Sequence, residues 1–498
     1  MKLSALLDKV VVQKMFHTVY GQMVTTHEVE IGSIQYDSRK VVHNSLFIAM
    51  KGQHNDGHQF IPDAIARGAK VIVVEKDDVL PDAYFMHSGV VKIVVENSRR
   101  VLATIANNFY MHPSRRLFLV GVTGTNGKTT TAFLIKQLLE KFGKKVGLIG
   151  TIFYDDGKEQ IDATHTTPES LELAQLFSRM CDNGCTAAVM EVSSHALALD
   201  RVYGLDFDCA VFTNLTQDHL DFHHSMYEYY RAKKVLFDSL KAEAIAVSNI
   251  DDLYGRKILE LTSAKKIYYG ISFDAEVKAT DLTLTTTATN FSVDTISFSS
   301  HLIGKFNVEN ILAAIALMKG MGYELKDIAD SVSALSSVPG RFQQFRSSHG
   351  WTAIIDYAHT PDALEKILLA TRAMLSQNAR GKIITVFGAG GDRDTTKRPL
   401  MGKVASALSD VVILTSDNPR SEMAEKIIQD IAAGIPSSTD LFIEVNRCDA
   451  IQLGLTMAKQ NDVIVIAGKG HEEYQIIGKE KYHFSDKEEV ENFIRKNA

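Results

Sequence analysis

A lysine that follows a glycine and precedes two threonines at the mouth of a helix can hold phosphate, and Gly127-Lys-Thr-Thr130 has that order. Ahead of it Gly121, Gly124 and Gly127 recur every three residues. Glycines let consecutive N–H groups curl around phosphate oxygens, and a helix N-terminus adds partial positive charge. Lys128 would reach the β- and γ-phosphates, and the Thr129 hydroxyl would hold Mg2+. The strict phosphate-loop pattern places a glycine where this chain has Val122, so the match is to a variant loop. On this reading Gly124, Thr125, Asn126, Gly127, Lys128, Thr129 and Thr130 cradle a nucleoside triphosphate.

Further polar clusters follow apolar runs. Thr164-His-Thr-Thr-Pro168, Glu191-Val-Ser-Ser-His195 and Asn214-Leu-Thr-Gln-Asp-His-Leu-Asp221 come first. Asp356-Tyr-Ala-His-Thr-Pro361, Gly388-Ala-Gly-Gly-Asp-Arg-Asp394, Ser416-Asp-Asn-Pro-Arg420 and Ala467-Gly-Lys-Gly-His-Glu472 lie beyond. A carboxylate closing a strand near a phosphate loop can take a nucleotide-bound Mg2+, which singles out Glu191. Gly388-x-Gly-Gly lacks the spacing of a dinucleotide fingerprint. Three stretches carry no chemistry by residue type alone. The loops Tyr36-Asp-Ser-Arg39 and Lys51-Gly-Gln-His-Asn-Asp-Gly57 read as turns, and Lys233-Lys234 reads as a solvated helix face.

The elements that must position these groups follow from periodicity. The apolar run 117–122 predicts a buried parallel strand, with a helix through about Leu139. Strands are expected at 46–50, 71–74 and 91–95 with a helix at 61–66 between the first two, and a further helix at about 99–110. Others are expected at 146–149, 186–192 and 208–213. Alternating stretches at 282–285 and 291–298 predict antiparallel strands on the flank. The alternation of strand and helix then restarts at 353–357, 383–387, 411–415, 441–444 and 463–467. The fold class is therefore α/β: a central phosphate-loop domain with a doubly wound parallel sheet and antiparallel flank, and a C-terminal Rossmann-like domain. Three domains are expected, at 1–97, 98–338 and 339–498.

With 498 residues, 45% hydrophobic and 23% charged, the chain has the composition of a globular protein of several domains. A net charge of −6 leaves no basic surplus for a nucleic-acid backbone. Four scattered cysteines fit a reducing, cytoplasmic compartment. The N-terminal apolar run is too short for a signal peptide, and no membrane span is expected.

As a set, Gly124-Thr-Asn-Gly-Lys-Thr-Thr130, Met190-Glu-Val-Ser-Ser-His195, Asn214-Leu-Thr-Gln-Asp-His-Leu-Asp221, Asp356-Tyr-Ala-His-Thr-Pro361 and Asp417-Asn-Pro-Arg420 resemble the ATP-dependent Mur ligases, which add amino acids to the peptidoglycan precursor. The resemblance covers the whole length. It implies that meso-2,6-diaminopimelate is added to UDP-N-acetylmuramoyl-L-alanyl-D-glutamate through an acyl-phosphate, by a monomer using ATP and Mg2+. It turns the two N-terminal loops into a site, so that Tyr36, Ser38, Gln53, His54 and Asn55 hold the UDP-sugar, joined by His165, Thr166, Thr167, Ser193 and Arg201. Lys233 falls where the family carries a carbamylated lysine, which with Thr129, Glu191 and His219 would bind Mg2+. Asn307, Asn310, Arg341, Asp356 and His359 would touch ATP. Arg393, Asp417, Asn418, Pro419, Arg420, Gly468 and Glu472 would hold diaminopimelate. Leu199 stands where relatives often have glutamine, and His165 where many have asparagine. A lysine-adding ligase, a folylpolyglutamate synthetase-like enzyme and a nucleotide switch or motor are the alternatives.

Overall fold

A computed structural model describes residues 1–52, 55–285, 288–376 and 381–497. Of the expected site residues, Gln53 and His54 lie outside the described ones. The chain forms two compact units, one of residues 1–120 and 144–208, the other of 121–143 and 209–498.

The first unit holds a five-stranded sheet in the order Lys14–Phe16, Val91–Val94, Ala69–Val74, Ser45–Ile48 and Ser33–Gln35. All neighbours are parallel except the first pair. Its three inner strands are mostly apolar because both faces are covered. Leu46, Ile48, Val71 and Val73 pack with Leu102 and Ile105 of the helix Ser98–Phe109, while Phe47, Ile72 and Val74 pack with Ile61 and Ala64. The same unit pairs Val146–Ile149 in parallel with Ala187–Glu191. It adds an antiparallel hairpin, Phe153–Asp155 with Gln160–Asp162, that periodicity did not reveal because each arm is three residues long.

Strand Phe118–Thr123 leads the chain from the first unit into the second, where helix Lys128–Lys141 follows. There Cys209–Phe212, Ile245–Asn249, Lys265–Gly270 and Val277–Leu284 run parallel. The flank is antiparallel as expected, with one correction. The run 291–298 is two strands, Thr289–Val293 and Ile296–Ser300, because Asp294 adopts a left-handed φ of 53° and Val293 pairs with Ile296 across a two-residue turn. The unit's other sheet has the order Gln343–Arg346, Thr352–Asp356, Val463–Ala467, Ile383–Phe387, Val411–Leu414 and Leu441–Ile443, parallel but for its first strand. Helices cover both faces: Leu364, Leu368 and Met401 lie over Val412 and Val465, and Ile451 and Leu455 lie over Ile413 and Ile464. The polar loops 388–394, 416–420 and 467–472 thus gather at the C-terminal ends of adjacent parallel strands, where such sheets bind ligands. Among the described residues no helix is long and apolar enough to cross a membrane.

Candidate active site

The phosphate loop is built by close approach. A Cβ on Gly124 would lie 1.9 Å from Thr213 Oγ1, and one on Gly127, at φ 84°, would lie 2.4 Å from Asn310 Oδ1. Thr213 Oγ1 donates to the Asn126 carbonyl at 2.6 Å, and Asn126 N–H donates to Asn214 Oδ1 at 2.9 Å. Thr125 N–H donates to the carbonyl of Asn214 at 2.8 Å. Lys128 Nζ donates to the carbonyls of Gly124 and Thr125 at 3.0 and 2.9 Å. Asn307 and Asn310, expected to touch ATP, are buried braces: Asn310 Oδ1 accepts from Thr131 Oγ1 at 3.2 Å and Asn310 Nδ2 donates to Asn307 Oδ1 at 3.3 Å.

Arg341 comes to this loop from the second sheet. Its Nη2 donates to Thr129 Oγ1 at 3.0 Å, its guanidinium lies 4.5 Å from the Tyr357 ring centre, and its Nη1 is buried with no hydrogen-bond partner. A buried guanidinium nitrogen beside a phosphate loop has the charge and donor geometry that a phosphate oxygen satisfies, so the residues present fit a nucleotide. Asp356 shapes the turn that delivers Arg341, accepting the N–H groups of Phe342 and Ala358 at 2.7 and 2.8 Å. Burial pushes its carboxyl up to about 6, against the pull of Arg341. Asp362 Oδ2 accepts from Asn126 Nδ2 at 2.7 Å, tying the phosphate loop to the helix Pro361–Ser376.

Lys233 lies on the inner face of the helix Met226–Asp238 and is 1% exposed, whereas Lys234 pairs with Asp238 along the helix. The solvated-face reading therefore fails for Lys233. Its Nζ donates to the Gly124 carbonyl at 2.7 Å and sits 4.5 Å from the Tyr229 ring centre. Burial, and then Lys128, hold its amine well below the usual lysine range, against Asp218. A neutral amine is the form that adds CO2. Asp218 is buried among Lys397 Nζ at 3.5 Å, His219 Nε2 at 3.4 Å and His359 Nε2 at 3.8 Å. Burial alone would raise its carboxyl, but these neighbours outweigh that and hold it below the ordinary range. Among the described residues no group of three or more His, Cys, Asp or Glu side chains could hold a metal ion. The donor set on hand, a threonine hydroxyl and a lysine able to become a carbamate, suits Mg2+, which keeps several ligands from water and phosphate.

In the first unit Glu191 closes its strand as expected. Its Oε1 accepts the Thr151 N–H at 2.8 Å and its Oε2 the Thr151 hydroxyl at 3.2 Å. Thr167 Oγ1 donates to the Glu191 carbonyl at 2.8 Å and accepts the Ser193 N–H at 3.0 Å. Thr166 and Thr151 hydroxyls are 3.1 Å apart. Arg201 donates to Glu169 Oε1 at 2.8 Å and to the Thr167 carbonyl at 2.9 Å. Tyr36 donates to Glu172 Oε1 at 2.8 Å. The structure thus gathers Thr166, Thr167, Ser193 and Arg201 around Glu191. His165 contributes its carbonyl to Tyr154, while its ring reaches Thr164 Oγ1 at 3.3 Å. Ser38 is buried in a short 3-10 turn capped by Asp37, and Asn55 is exposed, its carbonyl accepting the Gly52 N–H at 2.8 Å. Thr151, Glu169 and Glu172 escaped the sequence reading, because nothing in their local pattern shows that they partner these residues.

The C-terminal loops interlock. Arg420, at a left-handed φ of 53°, donates from Nη1 to the Gly391 carbonyl at 2.8 Å, and its backbone N–H donates to the Ile476 carbonyl at 3.1 Å. A Cβ on Gly390 would lie 2.9 Å from Arg420 Nη1 and 3.8 Å from Arg393 Cγ, so both side chains border that glycine. Burial, and then the charge of Arg420, lower the Arg393 guanidinium. Pro419 crosses Gly391 so closely that a Cβ there would lie 1.9 Å from the Pro419 carbonyl oxygen. Gly468 likewise leaves only 2.6 Å between a Cβ and Asp417 Oδ2. Asn418 Nδ2 donates to Glu472 Oε2 at 2.9 Å. The hairpin Tyr474–Ile477 with Glu480–His483, unforeseen from sequence, clamps this group through Gln475 Nε2, 2.7 Å from the Asp417 carbonyl.

Family models described as the Mur ligase family catalytic domain, the Mur ligase middle domain and the Mur ligase glutamate ligase domain match residues 30–110, 122–318 and 340–470. The chain is 45% identical over 496 residues to the UDP-N-acetylmuramoyl-L-alanyl-D-glutamate–2,6-diaminopimelate ligase 1 of Clostridium acetobutylicum, covering 98% of this chain and 99% of that one. It is 43% identical to the ligase of the same description in Bacillus cereus, covering 93% and 94%. A solved structure described as a UDP-N-acetylmuramoyl-L-alanyl-D-glutamate–2,6-diaminopimelate ligase matches with a TM-score of 0.65 at 31% identity, over 98% and 99% of the two chains. The MurF ligase of Thermotoga maritima, solved with ADP, shares the fold with a TM-score of 0.61 at 20% identity, over 94% and 98%. The chain belongs to the Mur ligase family.

Proposed function

We propose that the protein joins meso-2,6-diaminopimelate to UDP-N-acetylmuramoyl-L-alanyl-D-glutamate, converting ATP to ADP and phosphate in cytoplasmic peptidoglycan precursor synthesis. The observation that carries this reading is the 45% identity, across nearly the full length, to a ligase of that description. Arg393 and Arg420, whose side chains both border Gly390, favour diaminopimelate over lysine, because lysine has no distal carboxylate to meet a second guanidinium.

The terminal D-glutamyl carboxylate attacks the γ-phosphorus of ATP, the bond to the ADP oxygen breaks, and an acyl-phosphate forms. The neutral amine of the amino acid then attacks the acyl carbon, loses a proton, and phosphate leaves with the bonding pair. Lys128 and Arg341 bear on the phosphoryl oxygens as fixed cations, which stabilises charge as it moves. Mg2+, when bound, would neutralise phosphoryl charge; Thr129, His219 and Lys233 as carbamate are its proposed ligands. The loop from Gly124 to Thr130 holds the phosphates, braced by Asn307 and Asn310, with Asp356 and His359 on the nucleotide side. Tyr36, Ser38, Asn55, His165, Thr166, Thr167, Ser193 and Arg201 are assigned to the UDP-linked substrate. Arg393, Asp417 to Arg420, Gly468 and Glu472 are assigned to the amino acid. We further propose a monomer of three domains, 1–97, 98–338 and 339–498.

Measuring ADP release with ATP, the UDP-linked dipeptide and one amino acid at a time tests the reading. Release with diaminopimelate and not with lysine supports it. Release with lysine alone overturns the choice of amino acid, and release without the UDP-linked substrate overturns the ligase.

A further inference from the structure

Lys469 sits between two glycines that leave no room for side chains. A Cβ on Gly468, at φ 116°, would approach Asp417 Oδ2 to 2.6 Å, and one on Gly470, at φ 54°, would approach the Gly340 carbonyl oxygen to 2.7 Å. The chain is threaded so tightly there that the lysine turns inward, and its side chain is 0% exposed. Its Nζ lies 3.0 Å from Glu472 Oε2, 3.2 Å from Asn418 Oδ1 and 5.5 Å from the centre of the Tyr474 ring. Asn418 closes the ring of contacts, donating from Nδ2 to the same Glu472 oxygen and accepting the Ile476 N–H at 2.9 Å.

We infer that Lys469 is a positioning residue for the amino-acid substrate. It holds the Glu472 carboxylate and the Asn418 amide in the orientation that meets the substrate's charged groups. This rests on the assignment of these loops to the amino acid. A buried ammonium is tolerated only with close partners, and each partner here is fixed in turn by the cation. Removing the charge would leave Glu472 with one donor on Oε2 in place of two, and would release Asn418 from Nζ while Ile476 still holds it. The carboxylate would then be free to turn away from the substrate. Lys469 itself touches no reacting atom, so the loss should fall on amino-acid binding and not on the use of ATP.

The test compares Lys469→Met, Lys469→Arg, Glu472→Gln and the double variant Lys469→Met/Glu472→Gln, by ADP release with diaminopimelate, ATP or the UDP-linked dipeptide varied in turn. Lys469→Met should raise the KM for diaminopimelate about tenfold, the worth of one lost charge-assisted contact. The KM values for ATP and the UDP-linked dipeptide should move less than about twofold, and Lys469→Arg should recover part of the loss. Once Glu472 is glutamine, adding Lys469→Met should change the KM for diaminopimelate less than about twofold, since residues acting as one unit are not additive. An unchanged KM for diaminopimelate in Lys469→Met, an equal rise in all three KM values, or effects that multiply in the double variant would each overturn the inference. If Lys469→Met unfolds by orphaning Glu472, Glu472→Gln and the double variant carry the comparison: equal KM values support the inference and unequal ones overturn it. A wild-type protein that uses another amino acid instead overturns the substrate reading alone, and the same comparison is then made on that amino acid.

Discussion

Replacing Arg420 by alanine isolates the contact proposed to separate diaminopimelate from lysine. The side chain is anchored by two neutral acceptors, the Gly391 carbonyl at 2.8 Å and the Asn418 carbonyl at 3.4 Å, and its charge lowers the Arg393 guanidinium. A carboxylate placed between the two relieves their repulsion and gains charge-assisted hydrogen bonds, each worth about 1.5–3 kcal/mol. Alanine at 420 should therefore raise the KM for diaminopimelate roughly tenfold to 150-fold. The left-handed backbone at 420 does not confuse the result, since arginine and alanine bear the same strain there. Arg420→Lys keeps the charge but loses the planar fork, so it should fall between the two. The assay is ADP release at saturating ATP and UDP-linked dipeptide, with diaminopimelate and lysine each varied. The preference for diaminopimelate should collapse while release with lysine stays at its wild-type level. A preference left intact by Arg420→Ala would refute the assignment.

Lys233→Met and Lys233→Arg should each lower kcat about 100- to 1,000-fold, the scale for removing one fixed charge partner of a transferring group, and the wild type should take up labelled bicarbonate as a carbamate that both variants lack. Arginine that restored activity would contradict the carbamate. Arg341→Ala, which removes the contact with Thr129 and the buried Nη1, should raise the KM for ATP about tenfold or more; nucleotide titration that finds wild-type affinity would contradict its role. Asp356 links stability to pH. Its folded value of about 6 lies above the ordinary 3.8, so the native state binds the extra proton in that window and loses stability as pH rises through it, by about 3 kcal/mol. Thermal melts of wild type and Asp356→Asn between about pH 4 and 7 should show that slope in the wild type only; parallel curves would count against it.

Much of the architecture is written locally. All five strands expected in the C-terminal sheet are present, because each is an apolar run bounded by polar residues; all but the edge strand Leu441–Ile443, whose Phe442 and Ile443 are exposed, are covered on both faces. The phosphate loop is legible for a similar reason, since glycines at 124 and 127 are demanded by atoms 1.9 and 2.4 Å from a hypothetical Cβ. Asp294 broke a strand that alternation alone had joined, because a single left-handed residue leaves no mark on the apolar pattern. Lys233 and Lys234 show the same limit at the site. Two adjacent lysines look alike in sequence, yet one helical step separates a buried amine from an ion pair with Asp238. Lys469, Glu169, Glu172 and Gln475 were invisible because their roles depend on partners brought near by the fold, as with Tyr36 and Glu172, 136 positions apart.

The central claim is that ATP is spent to activate a carboxylate and not merely hydrolysed. The UDP-linked dipeptide, carrying a heavy-oxygen label in its terminal carboxylate, is incubated with the purified protein, ATP and diaminopimelate, and the released phosphate is analysed by mass. Transfer of one labelled oxygen to phosphate for each amide formed is the predicted result. Phosphate whose new oxygen comes only from water, released whether or not the amino acid is present, would contradict it.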